Sequence, residues 1–193
     1  MTLYKITGPE GQSIHGGTGK WPLPETGKWR SVRGSLAACE RGLHLVDEAH
    51  LAQWVKLDTV VWEAEHEGDL IDAGDKFVAR KARLSRKVGV LTRELLVEWA
   101  CDCAERALPI FEAKHSDDDR PRKAIETTRA WLRGEASTQQ VRADAYAADA
   151  YAADADAYAA DADAAAAAAD AAYAARQKEK TWQSAHLLEL LSR

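Results

Sequence analysis

Residues 143–175 contain only alanine, aspartate and tyrosine: 22 Ala, 7 Asp and 4 Tyr. No other stretch limits the fold as much. Each alanine removes little surface from water, so this segment cannot supply a close-packed core by itself. Alanine has the best helix propensity and aspartate a modest one. The heptad YAADADA also repeats in register at 151–157 and 158–164, a helical period. Fully helical, the tract would span about 50 Å at about 1.5 Å per residue. At about 100° per residue, Asp149, Asp156, Asp163 and Asp170 form one row, and Asp154 and Asp161 a second row roughly 160° away. One apolar stripe between the rows holds Tyr151 and Tyr158 with alanines, and the other holds alanine alone. A helix of this kind is weakly held unless something packs on its stripes. The preceding helices, a second copy of the chain (a homodimer) or another protein could do so. The aspartate rows read either as a solvated face or as a mimic of nucleic-acid phosphates.

The rest of the chain has a different texture. Residues 1–90 are glycine-rich and β-like. Strands are expected at Tyr4–Thr7, Arg41–Val46, Thr59–Gly68 and Lys76–Val88, with a long Gly/Pro/Lys stretch from Gly8 to Gly34. A short helix capped by Asp47 is expected over Asp47–Val55. Alternation from Val61 in "TVVWEAEHEG" places Val61, Glu63 and Glu65 on one side and Trp62, Ala64 and His66 on the other. Residues 91–134 read as helices. Thr92 can cap the first, which turns Leu95, Leu96, Trp99, Ala100 and Cys103 inward and ends or restarts at Pro109. The second starts after Asp118 or Asp119, with Pro121 in its first turn, and stops at Gly134. The closing segment WQSAHLLELLSR is amphipathic through Trp182, Leu187, Leu190 and Leu191 and is expected to fold back. The fold class is therefore α+β: a small β-rich domain over 1–90, then a helical bundle over 91–193 carrying the long Ala-rich helix.

The formal net charge is −5, with the acidic excess towards the C-terminal end. That value calls for neither a nucleic-acid partner nor a membrane surface. Cys39, Cys101 and Cys103 are too few and odd in number for a disulfide framework. With no leader read at the N-terminus, they point to a reducing cytoplasm.

"SIHGGTGKW", residues 13–21, invites comparison with a phosphate loop. The pattern fails: Ile14 stands five before Gly19, Trp21 follows Lys20, and Pro22 and Pro24 forbid the helix that must follow. What remains is a flexible loop, or a ligand loop using His15, Lys20 and backbone amides. Trp21 and Trp29, with Lys20, are expected to form an exposed aromatic and cationic binding patch. Glu63 and Glu65, at i and i+2 on a strand, are surface glutamates or a catalytic pair. The pair, with an early histidine and the GLHLV strand, is reminiscent of ADP-ribosyltransferases, which use a Glu-x-Glu on a strand. In that case His15, His44, Glu63 and Glu65 are the catalytic candidates and the ligand is a nucleotide. No metal set and no cofactor is expected; Cys101 and Cys103 do not face each other on a helix.

Two longer segments resemble known families. "GLH" (Gly42 to His44), the Glu63–Gly68 strand, Asp75-Lys76 with Ala79-Arg80, and Arg86 to Val88 resemble a small domain of unknown function. It is widespread in actinobacteria and their phages. Cys103 to Arg106, Leu108-Pro109, Arg120-Pro121-Arg122 and Ala124-Ile125-Glu126 leading to Ala130-Trp131 resemble immunity proteins predicted to act in polymorphic toxin systems. The second resemblance implies a non-enzymatic, helical binder of a toxin or defence protein; the stripe through Tyr151 and Tyr158 is the contact surface expected from the helical wheel.

Overall fold

The computed structural model describes residues 1–158 and 165–193, and side chains for 1–148 and 176–193. It shows an α+β protein. Contacts divide it into a sheet unit, residues 1–93 with 177–193, and a helical unit, residues 94–176.

The sheet unit has five strands: β1 (Leu3–Thr7), β2 (Arg30–Ser31), β3 (Leu43–Asp47), β4 (Thr59–Asp72) and β5 (Phe77–Leu91). All pairings are antiparallel. β4 and β5 form one long hairpin, and β5 begins by pairing on both edges. Ala79 lies opposite Leu70 of β4 and opposite Leu43 of β3. β3 pairs with β1, and β1 with the first half of β4, so four strands close into a ring. Three register shifts along β4, at Val61/Trp62, Glu63/Ala64 and Glu67/Leu70, bend the hairpin as the closure requires. The ring encloses Leu3, Trp21, Leu43, Leu45, Val60, Trp62, Ala79, Ala82 and Leu84.

The simple alternation expected along β4 does not hold. Thr59 to Trp62 are all buried. The chain's end explains the second buried side. Helix α4 runs over Ala165–Leu191, and its Ser184, Leu187, Leu190 and Leu191 are buried. Gly89, opposite Val61 in the ladder, sits so close to this helix that a Cβ there would lie 2.7 Å from the Leu191 side chain. The Ser184 hydroxyl accepts the Ala52 N–H at 3.0 Å and donates to the Ala49 carbonyl at 3.4 Å. It thereby ties α4 to the segment Glu48–Trp54, which is a 3-10 helix. Asp47 caps that segment by accepting the His50 N–H. The closing segment therefore folds back, as its Leu pattern predicts.

The helical unit contains α1 (Arg93–Glu112), α2 (Arg120–Leu132) and α3 (Thr138–Tyr158). Pro109 does not end α1, which continues to Glu112. Leu108, just before it, is buried with Cys101 and Ile125, and that packing offsets the backbone bond that proline removes. The inward face is also rotated from the expected one. Cys101 is buried at 5 % exposure with Val97 beside it, whereas Ala100 is exposed and Cys103 half-buried. Asp118 is the side chain at the start of α2, accepting the Arg120 N–H at 3.1 Å.

Candidate functional site

The glycine loop of the sequence forms one wall of a cleft. Residues Gly11 to Trp21 make a closed excursion from the ring. The Trp21 N–H donates to the Gly11 carbonyl at 2.7 Å, the Ser13 N–H donates to the Gly19 carbonyl at 3.2 Å, and Gln12 bridges Lys20. The opposite wall is a tight turn in which the N–H and carbonyl of Ala37 both pair with Arg41. Gly42 follows with φ +152°; a Cβ there would lie 2.0 Å from Val78 Cγ1, so only glycine lets the turn enter β3. Between the walls is a cleft of about 580 Å³ floored by β1 and β3.

Cations dominate its lining: Lys5, Arg30, Arg41 and Lys76 against Glu40. Lys76 has a carboxylate partner, Asp75, at 3.2 Å. Lys5 donates to the His44 carbonyl at 2.9 Å, and among the described residues no carboxylate lies within ion-pair distance of Lys5 or Arg30. Both cations instead lie over the Trp21 ring, 5.3 and 5.2 Å from its centroid. Burial, reinforced by the positive Arg30, lowers the Lys5 ammonium to about 8. Burial and then the charges of Lys5 and Lys76 lower His44 too. Its Nε2 accepts the Cys39 N–H at 3.0 Å, which fixes a neutral ring with that nitrogen unprotonated. His15, at the rim, donates from Nε2 to the Trp54 carbonyl at 2.9 Å and meets the Trp54 ring edge-on.

Of the residues singled out in the sequence, His15, His44 and Trp21 line this cleft. The expected exposed patch of Lys20, Trp21 and Trp29 is not assembled. Trp21 is 2 % exposed and part of the ring core, because the loop hairpin with Gly11 turns it inward. Lys20 pairs with Glu10 at 2.8 Å. Trp29 lies beneath Lys81 and Arg83 instead. Glu63 and Glu65 are also elsewhere. They stand opposite Arg86 and Arg83 in the β4–β5 ladder and pair with them, in a row continued by Glu67–Lys81 and Asp69–Arg80. The sequence reading missed Lys5 and Arg30. The available clue was a lysine in the middle of the apolar strand LYKIT.

The helical unit is fastened by charge. Arg129 donates to Asp102 at 2.6 Å and to Glu105 at 2.7 Å. Arg122 pairs with Glu112, and Lys123 with Asp144. Arg120 holds the Asp118 carboxyl at about 2. Asp144 also accepts from the Thr127 hydroxyl at 2.6 Å, joining α2 to α3. Ile110 on α1 and Tyr146 on α3 remain 70 % and 74 % exposed. The side chains of Tyr151 and Tyr158 lie outside the described residues. Among the described residues there is no metal-ligand cluster, and no helix is long and apolar enough to cross a membrane.

These features define two classes of surface: a cationic cleft in a small closed sheet, and a charge-stapled helical unit. The helical one has a counterpart among known families. Residues 86–181 match the model of a family described as "Imm-5 like putative immunity protein". That match brackets the helical unit and leaves the cleft outside it, so the C-terminal part of the chain is immunity-protein-like. Neither the curated proteins nor the solved structures give a match to the chain.

Proposed function

We propose that this chain is a non-enzymatic cytoplasmic immunity protein, of actinobacterial or phage setting, that binds and neutralises a protein toxin or defence component. The family match over 86–181 carries the reading. The helical unit supplies two exposed apolar side chains, Ile110 and Tyr146. Such groups anchor protein interfaces when charged residues rim them. The stripe through Tyr151 and Tyr158 would extend that surface. Cys39, Cys101 and Cys103 form no disulfide, which fits a reducing compartment.

The test is co-expression with candidate toxins of polymorphic toxin systems, each lethal when expressed alone. Growth should be rescued and the two proteins should purify together. Tyr146→Asp and Ile110→Asp should remove both effects while the melting temperature holds, since exposed substitutions shift stability by only about 0.5 kcal/mol. If cells die at the same rate with and without this chain, and no complex is recovered, the reading is wrong.

A further inference from the structure

We propose that the cleft of the sheet unit binds a phosphate-bearing small molecule of nucleotide size, its phosphate held between Lys5 and Arg30. The argument begins with a missing partner. Four of the five cations on β5, Arg80, Lys81, Arg83 and Arg86, each have a carboxylate partner. Lys5 and Arg30, which both line the cleft and both lie over the Trp21 ring, have none among the described residues. Two like charges brought together and partly removed from water oppose folding. The shared Trp21 ring offsets only part of that through cation–π attraction. A bound dianion would complete the site.

The remaining lining fits the same ligand. Lys5 spends one of its three donors on the His44 carbonyl, which leaves two for a ligand. Gly16 and Gly17 in the wall contribute backbone rather than side chain, and their N–H groups make none of the hydrogen bonds found in the loop. Exposed loop amides beside cations form anion sites. The volume of about 580 Å³ is that of a small-molecule pocket. The walls at His15 and Arg41 close it as a cleft, and the outer face of the β4–β5 hairpin is neutralised by its own ion pairs. A nucleic-acid polymer would need an open basic stripe. A lone carboxylate would neutralise one cation of the two, and a flexible dicarboxylate would have to order its chain to reach both, whereas one phosphate presents its charge and three oxygens at a single point.

The experiment is calorimetric titration of the full chain with inorganic pyrophosphate, AMP and glutarate. Pyrophosphate and AMP should bind, glutarate far more weakly. Lys5→Met, which keeps the apolar stem, and Arg30→Gln should each weaken binding by at least about tenfold, the loss expected for one charge-assisted contact. Thermal melts confirm that each variant is folded, and Arg30→Gln, at a half-buried position, serves if Lys5→Met is not. AMP bound more tightly than pyrophosphate supports the proposal with a nucleotide as ligand. Equal affinities support it with a phosphate group alone recognised. No heat from either phosphate at about 10 mM, a range that captures even millimolar affinity, overturns the proposal. So does binding that survives in both variants, or glutarate binding as tight as pyrophosphate.

Discussion

The two units of this protein solve the problem of holding together by opposite means. In the sheet unit, Leu45, Leu51, Val61, Val78, Leu91 and Leu187 are shielded from water almost completely. In the helical unit, among the described residues, only Cys101, Leu108 and Ile125 are buried, with Val97 packed on them, and charge does the fastening. A buried leucine is worth about 2 kcal/mol relative to exposure, whereas a surface ion pair is worth about 0–1 kcal/mol. The sheet unit is therefore a scaffold in its own right. The helical unit has a fixed geometry with little driving force behind it, a state that a bound partner would stabilise by mass action.

The largest expected effect tests where the chain's end belongs. Leu187, 0 % exposed, anchors α4 in the sheet unit, so Leu187→Ala should cost about 3 kcal/mol in urea unfolding followed by tryptophan fluorescence. Gly89→Ala should act in the same direction, because its Cβ would meet Leu191. A loss below about 0.5 kcal/mol for Leu187→Ala, the size typical of an ordinary surface change, would mean that the end of α4 contributes little to the scaffold. The comparison would then fail.

Next comes the charge staple. Arg129 and Asp102 are each roughly a quarter exposed, Glu105 about half. Arg129→Met should cost about 1–2 kcal/mol, more than an open surface pair because it strands two carboxylates. The difference between wild type and variant should shrink in about 1 M salt, where the screening length falls to about 3 Å. Leu187→Ala should keep its full effect there. A salt-independent Arg129→Met effect would show that packing of the arginine stem, rather than charge, holds α1 to α2.

How far these features could be read from the sequence follows the same divide. The strands at β1, β3, β4 and β5 and the Asp47 cap are legible, because apolar β-branched runs bounded by turn residues and capping are local signals, although β4 does not keep the alternation expected of it. The return of Leu187 and Leu191 was legible as amphipathicity. The place where they land was not, and so the double burial of Thr59 to Trp62 was hidden. Trp21 reads as exposed beside Lys20 because a glycine loop looks open; only the Gly11 hairpin turns it inward. Lys5 and Arg30 are 25 positions apart in sequence and meet through ring closure, a non-local event that no spacing rule records. Within α1, helical periodicity located a buried stripe but mis-set its phase, choosing Cys103 over Cys101. Several half-apolar faces compete there, and contact with Ile125 decides between them.

A smaller effect sharpens the contrast between matched and unmatched cations. Lys5 has a folded value of about 8 against 10.5 for the free side chain. The unfolded chain thus holds this proton more tightly, and the group destabilises the fold fully below about pH 8. That cost fades as pH rises and is gone above 10.5. The charged and titratable groups facing it are Arg30 from β2, which adds to the cost, and His44 from β3, held neutral by the Cys39 N–H. Lys5→Met should therefore stabilise the sheet unit at pH 7, by on the order of 1 kcal/mol once the lost bond to the His44 carbonyl is counted. The gain should narrow between pH 8 and 10.5. Destabilisation at pH 7 would show that the cation–π contact and that bond outweigh burial.

The smallest effect separates binder from enzyme. Glu65 is about half exposed and its partner Arg83 about a third, so Glu65→Gln should cost no more than about 0.5 kcal/mol. It should leave pyrophosphate binding unchanged, because neither Glu63 nor Glu65 lines the cleft. An ADP-ribosyltransferase-like role makes the opposite demand: a glutamate that holds the ribose is indispensable, and its loss abolishes activity without unfolding. Glu63 already spends both oxygens on Arg86, and Glu65 accepts both Arg83 donors at its Oε2. A substrate would compete with those arginines for the carboxylates. If Glu65→Gln nevertheless abolished binding of a dinucleotide such as NAD while pyrophosphate still bound, the ladder would be part of a longer site. The cleft would then be its phosphate end.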